Sequence, residues 1–452
     1  MSGLRVGADE ARAAAAAVLD LPGADGVEVV VNASSAGVTR YANSQIIQNT
    51  ERDELRVYVR VVTGGRAAAA TTNQLSPGKL ERAARAALEA AESSPPDEDF
   101  PGLADPAVVG RAEPIGRCDE ATSQTTAAER AAAVRGILAA AAGGSAAGIV
   151  ETGTQAYGVF NSNGIDCFDT FTRAVTTALV DDGVATGWAE ASSHAVGDLD
   201  WEGVGRVGAE KAAAGHDAGD AAPGEYEVVL EPPAVAVLLD YLSYVGFGAK
   251  QVLDGESFLA SRTGAEVAAP SVTITDDAWH PRSVGIGFDF EGVPRRRVAV
   301  IDGGIAREPV TDLRTAPQVG SEPTGHNSGS NEFGPYASNV VLEVGDQTYE
   351  DLVGGVSDGL LVTRFHYVNV LDRPSTLLTG MTRDGTFRIR DGAIAEPVRN
   401  LRFSQSVLEA LASVAGVGRD LSAFAPDFSS FGSTVAPAVR VGAFRFSSGT
   451  SH

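Results

Sequence analysis

The stretch GIVETGTQAYGVFNSNGIDCFDTFTRAVTTALV, residues 148–180, decides the class of the fold. Two long segments, 148–160 and 166–180, flank the turn sequence Asn161-Ser-Asn-Gly164. Asn and Gly tolerate the backbone angles of a tight turn, so this pattern predicts two long strands in an antiparallel hairpin. Residues 187–194 are predicted to continue the same sheet.

Further strands and helices are predicted on either side of this hairpin. Residues 55–63 alternate apolar and polar side chains, which is typical of a half-buried strand. Helices are predicted upstream and downstream from helical spacing and from Ser, Thr, Pro and Gly at their ends, at residues 8–19, 78–91, 122–142, 204–215, 234–245 and 401–413.

Two linkers divide the chain into three units. Residues 93–108 begin with SSPPDEDFPGLADP, which is rich in proline and acids, and residues 215–223 are rich in Gly, Ala and Asp. We therefore expect α/β subdomains at 1–92 and 109–214. Residues 224–452 then form a mostly antiparallel, β-rich C-terminal domain with helices. The fold class is α+β.

The net charge of the chain excludes some classes of binding partner. The 452 residues include 35 Lys and Arg against 59 Asp and Glu, a net charge of −24. Such a chain repels polyanions, so we expect no nucleic acid partner. Neither an apolar run of membrane-spanning length nor a secretory signal is visible, so no membrane partner is expected. Two isolated cysteines, Cys118 and Cys167, favour reduced thiols and a cytoplasmic location.

The sequence lacks the zinc motifs HExxH and HExxxH. Gly246-Phe-Gly248 and Gly285-Ile-Gly287 lack the third glycine of GxGxxG, so neither supports nucleotide binding. No two of the six histidines share a predicted helix, and no cysteine follows Cys167. Residue patterns alone therefore predict neither a catalytic residue nor a metal site in this chain.

Three single residues outside these motifs have expected positions of their own. Cys167 is expected to be a small core residue. His326, in the polar stretch 324–328, is expected at the surface, where it could touch a substrate. Tyr367 is expected to alternate with Phe365 on one face of a strand, as a wall of the core or of a cleft.

An acidic cluster is expected where Asp276 and Asp277 lie near Asp289 and Glu291. Carboxylates can bind a hard cation or act as acid and base. In so acidic a chain, however, solvated surface acids are the favoured interpretation.

The order of several short motifs resembles the TldD/PmbA family, also called TldD/TldE. The resemblance covers nearly the whole chain. It is carried by Arg40-Tyr-Ala-Asn-Ser44, Ala70-Thr-Thr-Asn73, Phe160-Asn-Ser-Asn-Gly164, Phe288-Asp-Phe-Glu-Gly-Val-Pro294, Ile301-Asp-Gly-Gly304 and Leu378-Thr-Gly-Met-Thr-Arg-Asp-Gly-Thr-Phe387.

The resemblance implies a zinc metallopeptidase complex that acts on small or unfolded peptides in an enclosed chamber. TldD-like members hold zinc through HExxxH and a late cysteine, and TldE/PmbA-like members lack both and pair with them. Here the HExxxH positions fall on Asp240, Tyr241 and Val245, and residues 426–432 contain no cysteine. The resemblance thus implies a non-catalytic subunit that holds no cofactor and forms a heterodimer with a zinc-bearing TldD-like subunit.

The same resemblance suggests where a peptide substrate would lie. Gly-rich loops of the C-terminal domain, including 324–338, are expected to shape a channel in which a peptide could bind as an added strand. His326, Asn339 and Tyr367 are the candidate channel residues.

Two alternatives stay open at this point. The chain could be an independent amide hydrolase in a specialised pathway, using Asp240, Asp276 or His326. It could also be a non-enzymatic binding module, possibly a homodimer.

Overall fold

The N-terminal half is built on one antiparallel sheet. In a computed structural model that describes residues 6–429 and 431–449, the sheet has the strand order β3-β2-β1-β4-β5-β6. Because β1 pairs with β4, the two predicted N-terminal units contribute three strands each to the same sheet. These strands are β1 (Gly26–Ala42), β2 (Gln45–Thr63), β3 (Arg66–Thr72), β4 (Ser145–Asn161), β5 (Asp166–Asp181) and β6 (Thr186–Ser193).

The predicted hairpin is confirmed as β4 and β5, which pair without interruption from Ser145↔Asp181 to Phe160↔Asp166. Asn161 organises the turn. Its side-chain oxygen accepts hydrogen bonds from the backbone N–H groups of Asn163 and Ile165, both at 3.0 Å. Gly164 has a φ of +100°, which favours glycine.

Helices cover this sheet from the flanking segments. They are α1 (Ala8–Ala16), α2 (Pro77–Ser93), α3 (Pro106–Val109), α4 (Glu120–Gln124), α5 (Ala127–Ala140) and α6 (Trp201–Ala214), with a 3₁₀ turn at Val196–Asp198. The single helix predicted over 122–142 is interrupted. Thr126 caps α5 by accepting a bond from the backbone N–H of Glu129, whose carboxylate accepts one in return.

The two faces of the sheet bury different partners. Alternate residues such as Val29 and Phe160 pack under α1 and α2. Their neighbours Val30 and Val159 point the other way and pack in a cluster with Phe288 and other C-terminal residues. The N-terminal sheet therefore supports part of the C-terminal domain directly.

The C-terminal domain contains two sheets. In the described residues, one has the order β10-β9-β8-β11-β18-β17. The other closes into a barrel, because β12-β7-β19-β15-β13 follow one another and β13 also pairs with β12. The strands are β7 (Gly224–Leu230), β8 (Ile274–Asp276), β9 (Val298–Asp302), β10 (Ile305–Ala306), β11 (Val340–Leu342), β12 (Asp358–Asp372), β13 (Leu377–Arg390), β14 (Ala393–Pro397), β15 (Leu401–Ser406), β16 (Val414–Val417), β17 (Ser422–Phe424), β18 (Thr434–Ala436) and β19 (Val439–Gly449).

Helix α7 (Pro232–Gly246) lies between these two sheets and contacts β7 and β12 of the barrel and β11, β17 and β18 of the other sheet. The remaining helices are α8 (Ala249–Leu253), α9 (Leu259–Arg262), α10 (Ala316–Val319), α11 (Tyr349–Gly354) and α12 (Val407–Ala412). In the described part of the chain, no helix has both the length and the apolar character needed to cross a membrane.

The late helix predicted over 401–413 is wrong in its first half. Residues Leu401–Ser406 form β15, which pairs with β13 and β19, and only Val407–Ala412 are helical. Leu401 and Phe403 are both buried, and this period of two is that of a strand.

Candidate functional site

Helix α7 is the element on which the resemblance places the metal-binding motif. It follows β7 directly and begins with two prolines, which suit the first turn of a helix because their missing N–H groups need no partner there. Leu238, Leu239, Leu242 and Val245 are buried in the cores on either side. The helix is therefore held rigidly between the barrel and the neighbouring sheet.

Asp240, which the resemblance places at the first motif position, is only 4% exposed. One of its carboxylate oxygens accepts a hydrogen bond from the hydroxyl of Thr434, and the other accepts one from the backbone N–H of Asp427 at 3.0 Å. Burial raises its pKa to about 7. The carboxylate thus joins α7 to the segment around Asp427, where the resemblance places the late cysteine of the zinc-bearing members.

The other two motif positions offer little to a metal ion. The Tyr241 hydroxyl donates a hydrogen bond to the backbone oxygen of Val368, and burial raises the pKa of this phenol. Val245 is fully buried and has no donor atom. Zinc sites in enzymes use three protein ligands drawn from His, Cys, Asp and Glu. These residues do not fit zinc, and the described residues contain no group of three such side chains placed to hold a metal.

A cavity of about 380 Å³ opens beside α7, at Tyr244, one turn along the helix from Asp240. Half of its twelve lining residues are aromatic. The Tyr244 ring stacks on Phe428 with centroids 4.6 Å apart and on Phe333 at 5.6 Å. Arg295 also lines the cavity.

His326 is not at the surface, and that prediction is wrong. Its side chain is fully buried, with Nε2 at 2.9 Å from Oδ1 of Asp276 and Nδ1 at 2.9 Å from the hydroxyl of Thr324. Burial lowers the pKa of His326, so its neutral form is favoured. A polar loop can be buried when its polar side chains bond to one another, as His326, Asp276 and Thr324 do here.

Three of the four acids of the expected cluster are buried rather than solvated, and Asp277 is half-buried. Asp276 and Asp289 are 0% exposed and Glu291 is 7% exposed. Asp289 accepts hydrogen bonds from the backbone N–H groups of Glu291, Val293 and Asn327 at 2.8–3.0 Å. These carboxylates hold loops together, which explains how acids survive burial.

The three candidate channel residues do not meet at one point. Asn339 is buried beside His326 and donates its backbone N–H to Asp276 at 2.8 Å. Tyr367 is 72% exposed and has a φ of +49° at an irregularity in β12, whereas Phe365 is buried. The irregularity interrupts the regular alternation of side chains along β12. The prediction that Phe365 and Tyr367 share a face is therefore wrong. Cys167, by contrast, is a buried core residue as predicted.

Sequence reasoning did not single out Arg295 or Tyr244. Arg295 is the first of three consecutive arginines after the motif that ends at Pro294, and Tyr244 lies within the altered HExxxH segment. The position of both residues next to family motifs was the available signal.

Two regions of the sequence match family models of known proteins. The family model of the PmbA/TldA metallopeptidase C-terminal domain matches residues 223–448, and that of the PmbA/TldA metallopeptidase domain 1 matches residues 27–91. A metalloprotease of Methanothermobacter thermautotrophicus is 30% identical over 226 residues, 49% of each chain. A zinc metalloprotease TldD homolog of Saccharolobus solfataricus is 26% identical over 215 residues, 44% of each chain.

These alignments span about half the length of the curated relatives. The fold is similar over a longer range to the crystal structure of TldE from Thermococcus kodakarensis. The TM-score is 0.84 at 20% identity, covering 98% of this chain and all of the other.

Proposed function

Because the chain belongs to the PmbA/TldD family of metallopeptidases, we propose that it is the non-catalytic, TldE/PmbA-like subunit of a heteromeric zinc peptidase. In this proposal a TldD-like subunit brings the zinc ion, and the complex acts on small or unfolded peptides. This chain closes the chamber and positions the substrate. Its two free cysteines agree with a cytoplasmic complex.

The observation that supports the proposal is the set of side chains on α7 at the positions of the metal ligands. A hydrogen-bonded carboxylate, a phenol and an aliphatic side chain stand at Asp240, Tyr241 and Val245, where zinc-bearing members need two imidazoles and a general base. A phenol is a poor base near neutrality because its pKa is about 10 or higher. All three positions have changed together, which favours a supporting role over a weakened active site.

The proposal assigns α7 a structural task. Asp240 and Tyr241 both use their polar atoms to fasten the helix to neighbouring segments, near Asp427 and Val368. Such a helix can form a fixed wall of a peptide chamber without taking part in hydrolysis. Tyr367 and Leu371, exposed on β12, provide apolar surface for a partner or a peptide.

A second candidate, an independent hydrolase, is favoured by two carboxyl groups. Burial raises the pKa of Asp240 and of Glu190 to about 7, a range typical of acid–base catalysts. Glu190 also lines a cavity of about 500 Å³ with His194. Against this candidate, both oxygens of Asp240 are already hydrogen-bonded and the residue is buried, so the proposal above is better supported.

The test compares the chain alone, a TldD-like subunit from the same cell, and the two combined. We expect less than stoichiometric zinc in this chain, no cleavage by it alone, and faster cleavage of a denatured than of a folded protein by the mixture. One tightly held zinc per chain would contradict the proposal, as would cleavage by the TldD-like subunit that is unchanged when this chain is omitted. Cation-dependent activity of the lone chain, lost in Asp240→Ala, would instead support the hydrolase.

A further inference from the structure

The cavity beside α7 combines aromatic walls with one buried cation. We propose that it binds the C-terminal residue of a peptide, with the free α-carboxylate on Arg295 and an apolar side chain between the aromatic rings. The choice of a peptide as the carrier of the carboxylate rests on the proposed function. The lining residues are Tyr244, Phe290, Arg295, Phe333, Tyr336 and Phe428, with four serines, Asn327 and Phe431.

Arg295 is held in place but has hydrogen-bonding capacity to spare. Its side chain is 5% exposed, and Nη1 lies 3.8 Å from Oδ1 of Asp276, too far for a hydrogen bond. Among the described residues, Nη1 has no hydrogen-bond partner at all. A buried guanidinium nitrogen without an acceptor is costly, and an entering carboxylate would supply the missing acceptor.

Asp276 does not satisfy this donor because its nearer oxygen, Oδ1, lies 3.8 Å away. Oδ1 is bonded to Nε2 of His326 and Oδ2 accepts from the backbone N–H of Asn339. Asp276 therefore stabilises the positive charge of Arg295 without hydrogen-bonding it. This arrangement keeps a charged donor poised at the cavity, which is what a small anionic group requires.

Serine hydroxyls offer further donors to a carboxylate. Ser338 accepts a hydrogen bond from the side-chain nitrogen of Asn339 at 3.3 Å, and Ser330 accepts one from the backbone N–H of Phe333 at 3.1 Å. Within the described part of the chain, neither hydroxyl donates a hydrogen bond. Each can therefore turn its hydrogen toward a ligand.

The aromatic walls select an apolar side chain. Tyr244, Phe333 and Phe428 form one stacked group, and Phe290 and Phe431 meet edge to face at 5.2 Å. A volume of about 380 Å³ suits one large residue and part of its neighbour. With a single cation and a chain charge of −24, a multiply charged ligand such as a nucleotide is disfavoured.

Calorimetric titration of the chain alone tests the proposal with matched peptides. N-acetyl-Ala-Ala-Phe with a free carboxylate should bind at least about tenfold more tightly than the same peptide as its amide, the effect of one charge-assisted hydrogen bond. N-acetyl-Ala-Ala-Ala acid should bind more weakly than the Phe acid. Equal binding of acid and amide, or no binding of either, would overturn the proposal. Equal affinity for 3-phenylpropionate would overturn the assignment to a peptide.

Variants separate the two halves of the site. Arg295→Met should abolish the preference for acid over amide, whereas Arg296→Met, at an exposed neighbour paired with Glu322, should leave it intact. Phe428→Ala, at a partly exposed ring, should weaken binding of acid and amide alike. Retention of the acid preference in Arg295→Met would contradict the proposal. If that variant fails to fold, the wild-type comparison and Phe428→Ala decide.

These measurements are independent of the proposed function. They use no zinc-bearing subunit and no cleavage. Absence of peptidase activity in the mixture would therefore leave the binding result standing, and absence of binding would leave the subunit assignment standing.

Discussion

The carboxylate of Asp240, in the middle of α7, accepts a hydrogen bond from the backbone N–H of Asp427 at 3.0 Å. The contact joins α7, the helix on which the resemblance places the metal motif, to the segment that precedes β18. The same carboxylate is buried enough to have its pKa raised from 3.8 to about 7. Because this pKa differs between the folded and unfolded states, the free energy of unfolding should depend on pH through Asp240.

The first prediction concerns Asp240→Asn. The folded state holds the Asp240 proton more tightly than the unfolded state, so the free energy of unfolding should fall as pH rises from about 4 to about 7. At about 1.4 kcal/mol per pKa unit, the loss amounts to a few kcal/mol. The Asn variant should lack this part of the decline and should be the more stable protein at pH 8.

Urea unfolding at several pH values measures the effect. Glu190, whose pKa is also raised to about 7, adds a decline of the same sign that the variant retains. Asp420→Asn, at a largely exposed side chain, serves as the matched control and should behave as the wild type. A variant with the same pH slope as the wild type would show that Asp240 does not titrate as described.

The second prediction concerns the close approach of the 324–328 loop to Pro294. Gly325 has a φ of +75°, and a Cβ atom there would lie 2.3 Å from the backbone oxygen of Pro294. Gly325→Ala should therefore cost roughly 3 kcal/mol or more, through backbone strain and a clash that cannot relax locally. Gly320, at φ +70°, has open space around it, so Gly320→Ala should cost only about 1 kcal/mol. Equal losses in urea unfolding would argue against the tight packing.

The third prediction concerns Asp289. Asp289→Ala leaves three buried backbone N–H groups without an acceptor, and at about 1–3 kcal/mol each the loss should exceed 3 kcal/mol. Asp289→Asn keeps one side-chain oxygen for Glu291 and Val293 and should lose less. Denaturant melts of the two variants check the order. A reversed order would mean that the acceptor oxygens of Asp289 do not hold the loop.

The fourth prediction concerns Tyr367. Because its side chain is 72% exposed, Tyr367→Ala should change the free energy of unfolding of the isolated chain by no more than about 0.5 kcal/mol. If Tyr367 contacts the partner or the peptide, as the sequence suggests, cleavage by the reconstituted complex should fall. Val184→Ala, at an exposed residue between β5 and β6, is the control. Unchanged cleavage would remove Tyr367 from the candidate channel.

Local patterns predicted much of the fold because they are set by neighbouring residues. The Asn161–Gly164 turn and the alternation along β2 depend on backbone geometry and on one buried face, so they were visible in the sequence. The split of residues 401–412 into β15 and α12 was not, because Leu401 and Phe403 are inward-facing only through pairing with β13 and β19. That pairing involves residues distant along the chain.

The candidate site was less predictable for a related reason. The absence of metal ligands on α7 follows from residue identity alone, so it could be stated without a structure. The burial of His326 and Asp276 depends on the hydrogen bond between them, and these residues lie fifty positions apart in the sequence. The unpaired Nη1 of Arg295 depends in turn on how the Asp276 carboxylate is oriented. Sequence spacing contains neither fact.

The closed barrel of the C-terminal domain also governs when the chain can finish folding. Its first strand, β7, pairs with β19, and Leu230 lies opposite Val439. At ribosomal speeds of about 5–20 residues per second, β19 is synthesised roughly 10–40 s after β7. The N-terminal sheet contains all its strands well before that moment. It can therefore fold first and offer Val30 and Val159 as a ready surface, while the barrel stays open until translation of β19 is complete.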